Sequence, residues 1–69
     1  MEGVVKISNL ATLRKEKGLT QEALARKSGV NRVLIARFET GRSNPTLDTL
    51  QKIALALDVP IDAIVSKGA

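Results

Sequence analysis

Arg32 and Arg37 lie five positions apart in a segment bounded by Asn31 and Gly41. A planar guanidinium matches the O6 and N7 edge of guanine with two hydrogen bonds, so the pair is suited to reading bases. Val33 offers methyl groups to a thymine methyl. Asn31 can meet either a backbone phosphate or an adenine edge. The competing reading, in which both arginines touch phosphates alone or are solvated, would position the chain on a duplex without reading its sequence.

Other chemistries lack the side chains they need. The 69 residues hold no cysteine and no histidine, so a disulfide framework, a thiolate metal site and the commonest general base are all missing. Tyr and Trp are also absent, the seven acids are scattered, and there is no glycine-rich phosphate loop. A catalytic constellation cannot be assembled from this set, and neither a cofactor nor a small-molecule substrate is implied. The cations are segregated. Between residues 14 and 42, eight Lys or Arg face three Glu, a net +5, whereas from residue 46 onward two Lys face three Asp, a net −1. One basic half beside one neutral half suits a polyanion bound through a single region.

These side chains need a scaffold, and the length allows one small domain, residues 1–69. Apolar content is almost wholly aliphatic, with Phe38 the only aromatic residue, which favours packed helices over a sheet. Spacing and punctuation predict five helices. The first begins at Ser8 or Asn9, carries Leu10 and Leu13 on its apolar side, and stops at Gly18. The second opens on Thr20 as N-cap, with Glu22 in its first turn, and ends at Gly29. The third opens on Asn31 and runs to Thr40. Thr46 caps the fourth, whose Leu47, Leu50, Ile53, Ala54 and Leu57 recur at helical spacing and predict one buried face. Asp58, Val59 and Pro60 break it, and residues 61–65 make a last short turn or helix. Residues 4–7 are β-branched and read as a short terminal strand, with residues 64–67 or a second copy as partner, or as a disordered start.

Residues 21–40, QEALARKSGVNRVLIARFET, carry the strongest signal. Two helices crossing steeply through a short turn need a small residue at the crossing, and Ala25 is placed there. The turn needs a residue tolerant of positive φ, which Gly29 supplies. Leu24, Val30, Ile35 and Phe38 are spaced to anchor the second helix of the pair, and Thr20 and Asn31 cap the two. Burial of Ile35 and Phe38 turns Arg32, Val33, Ala36 and Arg37 to the opposite side. Leu34 is ambiguous between packing beside Phe38 and reaching outward. The helix-turn-helix unit is residues 20–40.

At these residues the chain resembles the phage repressor and Cro type of helix-turn-helix proteins, the XRE-like family. The resemblance spans residues 10–65 and is carried by LRKEKGLTQEALARKSGV, IARFETGRSNPTLDTL and KIALALDVPIDAI. It implies an all-α, compact five-helix bundle of the lambda-repressor-like type, whose third helix enters the DNA major groove. It places base-contacting residues at Arg32, Val33 and Arg37. It places Gln21 on the DNA backbone, where the amides opening the second helix also attract anions. Arg42 and Ser43, with Asn44 beside them, form the expected second phosphate clamp. The resemblance further implies an internal ion pair of Arg14 with Glu39, linking the first helix to the third and keeping Arg14 off the DNA.

One such unit reads few base pairs, and the family answer is a two-fold dimer on a near-palindrome, with reading helices about 34 Å apart. The expected partners are therefore double-stranded DNA and a second copy. Val59, Ile61, Ile64 and Val65 are the candidate interface, unless Ile61 or Ile64 closes the monomer core instead. No stretch reaches the roughly 20 apolar residues of a membrane span, and the expected compartment is the cytoplasm. The function so read is a transcriptional regulator, a repressor or controller. The alternative is an antitoxin-like interaction module that also binds DNA to control its own synthesis.

Overall fold

The structure, a computed structural model, describes residues 5–7 and 9–67, with side chains from residue 9 to residue 65. Five helices follow one short strand and precede another: β1 (Val5–Ile7), α1 (Leu10–Glu16), α2 (Gln21–Ser28), α3 (Arg32–Glu39), α4 (Leu47–Leu57), α5 (Ile61–Ile64) and β2 (Val65–Lys67). Val4 of the β-branched start lies outside the described residues, and residues 5–7 form a strand. It pairs antiparallel with β2, Val5 opposite Lys67 and Ile7 opposite Val65. Asn9 Nδ2 donates to Ala63 O at 3.0 Å beside this ribbon, so the two ends of the helical body are held together.

Local chemistry sets the helix boundaries. Thr20 Oγ1 accepts from Ala23 N at 3.0 Å, Asn31 Oδ1 from Val33 N at 2.7 Å, and Thr46 Oγ1 from Thr49 N at 3.2 Å, each satisfying an amide that has no partner within its helix. Three helices end in the same pair of hydrogen bonds. Gly18 N and Leu19 N donate to Lys15 O and Arg14 O; Gly41 N and Arg42 N to Phe38 O and Arg37 O; Asp58 N and Val59 N to Leu55 O and Ala54 O. In each, the first donor has positive φ, including the non-glycine Asp58 at 58°, a conformation that aspartate tolerates better than most residues.

The core gathers Leu10, Leu24, Val30, Ile35, Phe38, Leu50, Ile53, Ala54, Ala56, Leu57 and Ile64. Leu24, Ile35, Ile53 and Ile64 are fully sealed. Leu47 and Ile64 lie where their spacing did not predict. Leu47 shares the spacing of the buried face of α4 but is 65% exposed, because burial begins only at Leu50 and the first turn overhangs the body. Ile64, expected at an interface between copies, has no exposed surface and closes the core of its own monomer. Val59, Ile61 and Val65 pack on the core from its margin and stay partly open. Leu34 is 40% exposed on the rim of α3, so it is not covered by the packing around Phe38.

Candidate nucleic-acid interface

The α2 and α3 pair is built around its turn. Gly29 ends α2 in the left-handed region at φ 76°, its N–H donating to Ala25 O at 2.8 Å. Any other residue except Asn or Asp would be strained there. Ser28 Oγ accepts from Val30 N at 3.2 Å, tying the turn to its own start. Val30 is then buried, and α3 begins two residues later with Ile35 and Phe38 driven inward.

That anchoring decides what α3 presents. Arg32, Val33 and Arg37 are all exposed, Val33 at 57%. Ala36 is half-buried between them. Asn31 is exposed, and its Oδ1 accepts from Val33 N in capping α3. Nδ2 can donate to a phosphate oxygen, and Oδ1, which has a second lone pair, can complete a two-way pairing with an adenine edge. Beyond α3, Arg42 is exposed, and its backbone N–H is fixed on Arg37 O at 2.9 Å, so the α3 terminus holds it in place. Ser43 is half-buried and Asn44 exposed on the same loop.

Behind the exposed face lies a polar knot. Arg14 Nε donates to Glu39 Oε2 at 2.6 Å and Nη2 to Glu39 Oε1 at 3.1 Å, and the two side chains keep only 11% and 7% exposure. Arg14 Nη1 donates to Leu19 O at 2.8 Å, while Leu19 N donates back to Arg14 O at 3.0 Å. Gln21 Nε2 donates to Glu39 Oε1 at 3.0 Å. The hydrogen bond to Glu39 raises the Arg14 pKa above its ordinary value, against the opposing effect of burial, and the Glu39 charge adds to the rise. Burial pushes the Glu39 carboxyl up, but hydrogen bonds from Arg14 and Gln21, with the charges of Arg14 and Lys15, outweigh it and hold the group below the ordinary carboxylate value. Both are therefore charged at neutral pH, and Arg14 contributes no free positive charge to the surface.

Sequence reading placed Gln21 only as a backbone ligand and missed its bond to Glu39. No local spacing reveals that bond, since it joins residues 18 apart across a helix crossing. It also missed a shallow apolar concavity of about 350 Å³ at the junction of α4 and α5, lined by Gln51, Ala54, Leu55, Val59, Pro60 and Ile61. Leu55, on its rim, is 81% exposed.

The helix-turn-helix family matches residues 10–64. An uncharacterised HTH-type transcriptional regulator of Sinorhizobium fredii is 50% identical over 52 residues, covering 75% of this chain and 68% of that protein. The chain spans 40% and 33% of two further relatives, both longer. Among solved structures, a restriction-modification controller protein from Aeromonas hydrophila superposes with a TM-score of 0.77 at 40% identity, over 80% of this chain and 83% of that one. SinR, a master regulator for biofilm formation solved in complex with DNA, superposes with a TM-score of 0.74 at 33% identity, over 77% and 86%.

Proposed function

Because this chain belongs to the helix-turn-helix family, we propose that it binds double-stranded DNA in a sequence-specific manner and regulates transcription, with α3 seated in the major groove. The observation that carries this reading is the outward face of α3: two guanidinium groups with no partner among the described residues and a valine, exposed together on a helix whose opposite side is locked into the core. Arg32 and Arg37 read base edges, with guanine as the matching partner, and Val33 packs on a thymine methyl. Gln21, Arg42, Ser43 and Asn44 grip the phosphates on either side, and Asn31, at the start of α3, meets a phosphate or an adenine edge. The solved complex of SinR with DNA supports the assignment, since its chain superposes on most of this one.

The regulator acts as a homodimer. A two-fold contact must be complementary to itself, and the face around α4 and α5 carries both halves of such a contact: the exposed Leu55 and, next to it, the apolar concavity formed with Val59, Pro60 and Ile61. This face belongs to the neutral half of the chain, so two copies meet there without bringing their basic surfaces together. Among the described residues no helix is long and apolar enough to cross a membrane; the site of action is the cytoplasm, with the whole unit serving as one DNA-binding domain.

Selection from a random duplex library tests the function directly. The expected result is a near-palindrome with half-sites about one helical turn apart. Recovery of no enriched sequence, with binding that depends on salt alone, would refute sequence-specific recognition.

A further inference from the structure

The knot behind α3 has a geometry that an ion pair serving stability alone does not require. Glu39 Oε1 accepts twice, from Arg14 Nη2 at 3.1 Å and from Gln21 Nε2 at 3.0 Å. Gln21 is the first residue of α2, the end assigned to a DNA phosphate, and Glu39 is the last residue of α3, the reading helix. The residues that enter α2 are held as well, because Arg14 and Leu19 exchange hydrogen bonds in both directions.

We propose that Glu39 is a positioning residue for DNA binding, one that aims the Gln21 carboxamide at the phosphate backbone and sets that contact in register with the reading face of α3. The inference rests on the DNA-binding reading given above. A carboxamide has one acceptor end and one end with two N–H donors. A carboxylate accepts only, so it repels the Gln21 oxygen and selects the amino end. With one Nε2 hydrogen committed to Glu39, the second has no protein partner among the described residues and is directed away from the carboxylate. A donor held in one orientation before binding loses less side-chain entropy when it meets a phosphate oxygen. Without Glu39, Gln21 would rotate freely and present either end, including the carbonyl that a phosphate rejects. The Arg14 guanidinium completes the device by keeping Glu39 ionised and immobile.

Two measurements on the full chain test this. The first needs no variant: the two Gln21 side-chain amide protons are followed by NMR as the selected operator duplex is added. One proton is expected to be shifted downfield in the free protein and to stay there, while the other moves on binding. If neither responds to DNA, or if both lie at free-amide positions before DNA is added, the proposal is overturned. The second uses duplexes carrying a single uncharged methylphosphonate at each backbone position in turn. The phosphate that Gln21 meets is the one whose neutralisation weakens the unaltered protein at least threefold but leaves Q21A unaffected. A single substitution at the ion pair would strand a buried charge, so R14M and E39M are made together, a replacement by apolar residues of similar size that buried pairs often tolerate. Circular dichroism checks the fold of this variant. It is expected to lose sensitivity to that phosphate while keeping its discrimination at the base pair read by Arg37. Equal sensitivity in the double variant and the unaltered protein sinks the positioning role and leaves DNA recognition standing. A library that yields no preferred duplex removes the DNA reading itself, and this inference with it.

Discussion

Arg14 and Glu39, 25 residues apart, meet in a two-pronged ion pair with N···O distances of 2.6 and 3.1 Å, joining α1 to the last residue of α3. With side-chain exposures of 11% and 7%, either charge is left largely shielded from water if its partner is removed. Arg14→Ala or Glu39→Ala is therefore expected to cost about 3 kcal/mol or more. A domain of this size has a total stability of only ~3–10 kcal/mol. Urea denaturation followed by circular dichroism should place the midpoint of both variants far below that of the unaltered chain. A loss under about 1 kcal/mol would mean that the pair is hydrated in solution.

The same pair predicts the response to acid. The folded state holds the Glu39 carboxyl below its ordinary value, so folding favours the ionised form. Its stabilising contribution is fully present above the unfolded-state value, about 4.3. It is lost as pH falls from there through the depressed folded-state value. Arg14 is shifted upward, and its contribution is lost only at pH values above the ordinary arginine range. Thermal unfolding of the unaltered protein should thus show a drop below pH 4 that is smaller in the R14M/E39M variant. Parallel profiles for the two proteins would place the acid sensitivity elsewhere.

What could be read from residue types alone was what depends on near neighbours. Thr20, Asn31 and Thr46 cap helices because hydroxyl and carboxamide oxygens reach amides two or three residues away. Leu24, Val30, Ile35 and Phe38 are buried because their spacing puts them on facing sides of two adjoining helices. Failure set in where a position depends on how far one element extends beyond another. Leu47 fits the period of the α4 face as well as Leu50 does, yet it lies past the end of the packing surface. Ile64 is as apolar as Ile61 and Val65, and only the path of the chain after Asp58 decides that it closes the core while they stay partly open. The Gln21 bond to Glu39 was hidden for the same reason: it exists only once α2 and α3 cross.

Arg32, Arg37 and Arg42 are all exposed, and their variants should nevertheless fail in different ways. Arg32→Ala and Arg37→Ala each remove a base-reading fork, with an expected loss of about 1–3 kcal/mol on the preferred duplex and relaxed preference at one base pair. Arg42→Ala removes a phosphate contact. Binding should weaken evenly across sequences, and the slope of log affinity against log salt should fall by about one. Fluorescence anisotropy against matched, mismatched and unrelated duplexes over a salt series separates the two patterns. If Arg32→Ala leaves the preference at every base pair intact, that residue touches only the backbone.

Leu55 provides the sharpest test of the dimer. At 81% exposure it makes little contact within its own monomer, so Leu55→Lys should change monomer stability by no more than about 0.5 kcal/mol. Lysine is also a good helix former, and a cation is favourable near the C-terminal end of α4. In a two-fold contact, however, one substitution acts twice: each copy brings a charge to the apolar concavity of the other, lined by Val59, Pro60 and Ile61. Sedimentation at micromolar concentration should show the unaltered chain as a dimer and the variant as a folded monomer. The variant should still bind an isolated half-site as the unaltered chain does, but lose the added affinity for the full palindrome that comes from linking two half-sites. A variant that remains dimeric would move the contact away from this face, and an unaltered chain that sediments as a monomer with and without its duplex would rule out the two-fold arrangement.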